Sequence, residues 1–115
     1  MRSGLTNMAE KHHRIERYRY GLEAGSGFAR ISLWGPGGNV IGEIGFIDES
    51  RSVPNPKVAS DLSHGVGFLP ASRMAALIDM LRNEESVYLS LSDDAPGFFS
   101  VHTLGIHKSL KTTGG

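Results

Sequence analysis

"LPASRMAALIDMLRNEESVYLSLSDD", residues 69 to 94, is the stretch that decides the fold. Pro70 suits a first helical turn, where a missing N–H costs nothing. Met74, Leu77, Ile78 and Leu81 then fall at i, i+3, i+4 and i+7, which places them in one apolar stripe. Ser72, Asp79 and Asn83 lie opposite. Arg82 sits in the last turn, where a cation complements the helix dipole. Asn83 is suited to stop the helix in a left-handed conformation. Directly afterwards, Val87, Leu89 and Leu91 alternate with Tyr88, Ser90 and Ser92, the period of a strand over residues 86 to 92. A single apolar stripe is what a helix needs to cover one face of a sheet. Burying it contributes on the order of 1.5–3 kcal/mol per side chain before entropy is charged. No residue of the stripe titrates, so the inner side of the helix is structural.

Working back from the helix, "HGVGFL" at 64 to 69 reads as a short strand weakened by its glycines. Residues 49 to 63 are polar, contain two prolines and show no period, as in a long surface loop. "VIGEIGFID" at 40 to 48 is a strand with Val40, Ile44 and Phe46 toward the core and Ile41, Glu43 and Ile47 outward. "FARISLW" at 28 to 34 puts Ala29, Ile31 and Leu33 on one face and Phe28, Arg30, Ser32 and Trp34 on the other. "HRIERYRYGLE" at 13 to 23 alternates Tyr18, Tyr20 and Leu22 against Ile15, Arg17 and Arg19. "AGSG" and "GPGGN" supply the turns between these strands, because glycine reaches the positive φ that tight turns need. Working forward, "DDAPG" turns the chain and residues 98 to 106 return as a partner strand. The expected architecture is α+β: an antiparallel meander of three or four strands, one packed helix and a C-terminal β-hairpin. Residues 1 to 11 are expected to form a loose arm and residues 107 to 115 a polar tail.

The string "IGEIGF" at 41 to 46, followed by "LIDMLRNEESVYLSL" at 77 to 91, resembles a family of short bacterial proteins. In that family a glycine-containing strand precedes a helix ending in Leu-Arg-Asn-Glu and a strand of Val-Tyr-Leu type. The resemblance spans residues 18 to 104 and implies one domain. It implies no catalytic residue, because no activity is established for the family.

A chain of 115 residues is long enough for one domain of this kind. Apolar residues make up 39% and charged residues 21%, which fits a globular core with a solvated surface. Lysines and arginines equal aspartates and glutamates at 12 each, so the long-range pull that drives nucleic-acid binding is missing overall. There is no cysteine, which excludes disulfides, thiolate metal sites and cysteine nucleophiles. With no apolar run of signal-peptide or membrane-span length, a soluble cytoplasmic protein is expected.

Motifs that carry chemistry are missing. The five histidines include no H-E-x-x-H pair, and adjacent His12 and His13 point to opposite sides of a strand. His64 and His102 meet only if their strands are neighbours. No G-x-S-x-G elbow, phosphate loop or calcium loop is present. No catalytic residue, metal site or cofactor is therefore assigned, and a non-enzymatic binding or assembly module is expected. One surface stands out: Arg17, Arg19, Phe28, Arg30 and Trp34 share the sheet face away from the helix, together with Ile15, Ile41, Glu43 and Ile47. Cations among aromatics suit a homodimer or other protein interface. They also suit single-stranded nucleic acid, with charge for phosphates and rings for bases. A third arrangement has the final hairpin covering this face. In that case the site of action falls on the long loop or on the helix flank near Arg73 and Met80.

Overall fold

The computed structural model describes residues 10–23, 28–93 and 97–103, with the side chains of Glu23 and Phe28 outside the description. The "AGSG" turn, most of the "DDAPG" turn, residues 1 to 9 of the expected arm and the tail at 107 to 115 lie outside it as well. The fold is α+β. A five-stranded sheet has the order Arg17–Glu23 (β2), Phe28–Trp34 (β3), Val40–Ile47 (β4), Gly65–Pro70 (β6), Lys57–Val58 (β5), and a three-stranded sheet has the order Glu10–Arg14 (β1), Tyr88–Ser92 (β7), Phe98–His102 (β8).

The N-terminal stretch expected to be one strand is divided between the two sheets. Glu10–Arg14 (β1) pairs with Tyr88–Ser92 (β7), whereas Arg17–Glu23 (β2) pairs with Phe28–Trp34 (β3). Lys11 and Glu10 thus belong to a strand and not to a loose arm. The division falls between two successive amides. Ile15 N–H donates to the Val87 carbonyl at 2.9 Å, and Glu16 N–H donates to the Trp34 carbonyl at 2.8 Å. This change of bonding partner breaks the side-chain parity. Ile15 turns into the core and leaves the face of Arg17.

β2, β3 and Val40–Ile47 (β4) form the expected meander, antiparallel throughout. Its inner face carries Ile31, Leu33, Ile44 and Phe46, all buried. One expectation fails at the start of β4. Leu33 pairs with Gly42 but Trp34 pairs with Val40, so Ile41 is the extra residue of a β-bulge. The bulge shifts the alternation by one: Ile41 is buried and Val40 is exposed.

Gly65–Pro70 (β6) is parallel to β4, not a continuation of the antiparallel meander. The segment between them is more ordered than its composition suggests. Lys57–Val58 (β5) pairs antiparallel with β6, and the turn that follows is pinned by Asp61, whose carboxylate accepts from the Ser63 N–H and hydroxyl. Leu62 in that turn is buried at φ 60°, a conformation leucine rarely adopts. Its carbonyl accepts a 2.8 Å hydrogen bond from His13 Nε2, which helps to hold it there.

β6 runs through Pro70 into one 3-10 turn, Ala71–Arg73, and then the helix Met74–Asn83 (α1). Leu77 is buried, and Met74, Ile78 and Leu81 pack half-buried on the same core, as their spacing predicts. Asn83 does not form a left-handed cap. The helix ends at an extended Glu84, while the Asn83 amide donates to Asp79 at 2.7 Å.

The second sheet lies on the inner face of the first. β7 is its central strand, flanked by β1 and by Phe98–His102 (β8), so Leu89 and Leu91 are completely buried. The glycines of β4 and β6 permit the approach. A Cβ on Gly42 would stand 2.8 Å from Leu89 Cδ2, and one on Gly67 would stand 2.6 Å from Phe99 Cδ1. Both distances are inside van der Waals contact. These glycines, which weaken the strand signal in the sequence, form the floor on which the second sheet rests.

Candidate functional site

Strand register places the arginine-rich face. Arg17 lies opposite Trp34, Arg19 opposite Ser32, Arg30 opposite Gly21, and Phe28 opposite Glu23. Arg17, Arg19 and Arg30 are exposed and Trp34 is half-buried, with the Arg17 guanidinium 5.5 Å from the centre of the indole. This face is thus brought together as its alternation predicts, less Ile15 and Ile41, which go to the core. The final hairpin does not cover it. β7 and β8 pack on the opposite face, against Gly42, Gly65 and Gly67, and this rules out the third arrangement.

The edge beside that face is bare. Among the described residues, β2 pairs only with β3, which leaves its other side without a partner strand. On the inner face of β2, Tyr20 is 52% exposed and Leu22 is 71% exposed. The far edge of the same sheet is β5, only two residues long. Long edge strands with exposed apolar side chains invite pairing, and short ones resist it.

The histidines meet in a pairing that spacing alone does not show. His12 Nδ1 and His102 Nε2 both lie on Ser90 Oγ, at 2.5 and 2.6 Å, with their rings edge to face. β7 lies between β1 and β8, which puts Ser90 between the two imidazoles. A hydroxyl has one proton and two lone pairs, so it donates to at most one of the rings and accepts from the other or from both. Ser90 is only 2% exposed. The group satisfies a buried hydroxyl in the middle of a three-stranded sheet. His64 stays apart, beside Ser63. No group of three or more histidines or carboxylates able to hold a metal occurs among the described residues.

A cleft of about 530 Å³ opens between α1, β8 and the inner face of β4 and β6. Ile44, Leu77, Phe99 and Val101 form its walls, and residues 53 to 56 form one rim. It includes Arg73 and Met80, the helix flank that the sequence singles out only for the arrangement in which the final hairpin covers the arginine face. The root of that rim is tied to the helix by a contact no local pattern contains. Glu49 Oε2 accepts the Ser72 N–H at 2.6 Å, supplying from a distant loop the acidic partner that the first turn lacks. The Ser72 N–H also holds the Glu49 carboxyl below the usual carboxylate range. Asp48 is lowered in the same direction by the Ser50 N–H, and Asp61 by the Ser63 hydroxyl.

No family model matches the chain, and no match was found among curated proteins or solved structures. Among the described residues, no helix is long and apolar enough to cross a membrane.

Proposed function

We propose that the protein is a non-enzymatic assembly module that self-associates along β2. The observation that carries this reading is the seven-residue edge of β2, without a second partner strand among the described residues and with Tyr20 and Leu22 exposed on it. Its sequence, RYRYGLE, is self-complementary. Antiparallel pairing of two copies engages all seven residues in only one register, centred on Tyr20. That register sets Tyr18 opposite Leu22 of the second copy, and Arg17 at the position opposite Glu23. It sets Arg19 opposite Gly21, where nothing lies within 4 Å of the missing side chain. Apolar and opposite-charge cross-strand pairs each contribute roughly 0.2–1 kcal/mol. Joining two sheets through one strand buries a small area, so the dimer is expected to be weak and reversible. With no cysteine to oxidise, the cytoplasm is a fitting compartment.

Sedimentation equilibrium tests this directly. The expected result is reversible association toward twice the 12.4 kDa chain mass, abolished by Leu22→Lys. A monomer at every concentration contradicts it. The second reading is single-stranded nucleic acid on the same sheet, favoured by Arg17, Arg19, Arg30 and Trp34 sharing one exposed face. In that case affinity falls with salt by a slope of about −0.7 per phosphate neutralised. Bases stacking on Trp34 would also have to displace Arg17 from its ring, which indole fluorescence reports.

A further inference from the structure

We infer that the cleft between α1 and β8 is a binding site for a small elongated apolar molecule bearing one anionic group, a medium-chain carboxylate in its simplest form. This stands apart from the pairing of β2 and does not depend on it.

The cleft, about 530 Å³ and open on one side, has the size of sites that take small organic ligands. It exists because the helix makes only limited contact with the sheet: Leu77 alone is buried, and its neighbours on the stripe remain half-buried. Phe99 stands on the glycine floor at one side, its ring against Gly67.

The lining fits one ligand chemistry. The walls are apolar, from Ile44, Leu77, Phe99 and Val101, and offer no partner to a polar body. Polar groups are few: Asn55, Ser100 and Arg73. Arg73 is the cation among them. Glu49, whose charge Arg73 feels, is hydrogen-bonded to the Ser72 N–H, and Arg73 forms no direct ion pair among the described residues. An apolar chain along the walls with an anion at Arg73 satisfies both parts. Pro54 and Pro56 restrict the rim on either side of Asn55, and Glu49 anchors its root, so little ordering has to occur on binding.

Decanoate below its micelle concentration, followed by isothermal calorimetry on the full chain, tests the inference, with decanol as the uncharged control. The expected result is saturable binding of one decanoate per chain, with decanol weaker by roughly tenfold, the value of one charge-assisted contact. Arg73→Gln should bring decanoate down to the level of decanol and leave decanol unchanged. Ala76→Trp, which fills the cleft from the exposed side of the helix, should abolish binding of both. Met80→Trp serves the same purpose should the first variant unfold. Absence of saturable decanoate binding overturns the inference, as does binding that survives a folded cleft-filling variant. Equal affinity for decanoate and decanol overturns the assignment of Arg73.

Discussion

The two ends of the five-stranded sheet carry apolar side chains on the same face and treat them in opposite ways. At the β4–β6 end, the inner face is covered by Leu89, Leu91 and Phe99 resting on glycines, with α1 beside them. At the β2 end, Tyr20 and Leu22 occupy the same face and remain in solvent. Both β2 and β3 alternate apolar and polar residues. Yet Ile31 and Leu33 of β3 are completely buried, while exposure on β2 rises from Tyr18 to Leu22, away from the crossing at Ile15 and Glu16. Alternation says which side of a strand is apolar. It does not say whether anything lies against that side, and at β2 Tyr20 and Leu22 stay exposed.

The sharpest way to break the comparison is to place the same side chain at each end. Gly67→Val should cost about 3 kcal/mol, because its Cβ alone meets Phe99 well inside contact distance and the sheets must separate. Gly21→Val should leave stability unchanged or raise it slightly, since nothing stands near and valine favours a strand. Urea denaturation midpoints compare the two. Equal losses would mean that the sheets do not meet as described.

Truncations draw the same contrast. Leu77→Ala should cost roughly 2–5 kcal/mol of monomer stability. Leu22→Ala, at 71% exposure, should stay within about 0.5 kcal/mol of neutral in dilute solution. A large loss at Leu22 in the monomer would show that the open end is covered after all.

The smallest effect is expected at the tether between loop and helix. Glu49 has a lowered carboxyl pKa in the fold, so its contribution is complete above the usual carboxylate range. It is lost as the pH falls through the lowered value. Glu49→Gln should therefore be slightly less stable than the natural chain at neutral pH, and the gap should close in acid. Thermal midpoints across that range measure it, and a gap that widens in acid contradicts the assigned contact.

The parts of the fold legible in the sequence are those set by neighbours along the chain. The stripe Met74, Leu77, Ile78 and Leu81 announces the helix, and glycine-rich turns mark off β3 and β4. What stayed hidden depends on partners distant in sequence. Ile15 and Glu16 bond to different sheets, and the one local trace, a change of apolar parity between Ile15 and Tyr18, does not say where the partners lie. Ile41 is buried because Leu33 and Trp34 pair out of step with β4. β6 lies parallel to β4 because the chain crosses over through β5, and a glycine carries no local sign that another sheet will approach it. The candidate surfaces divide in the same way. Arg17, Arg19, Arg30 and Trp34 are legible as one face by parity alone. That β2 is an edge, and that Ser90 sits between His12 and His102, follows from strand order, which no local spacing records.

If two copies join at the open end of the sheet, residue-resolved amide hydrogen exchange at low and high protein concentration registers it along β2. The β2 amides directed away from β3 should exchange freely in dilute solution and become protected as concentration rises, while β5 at the other edge stays the same. Exchange along β2 that does not change with concentration, in a sample that sedimentation shows to be associated, would place the interface elsewhere.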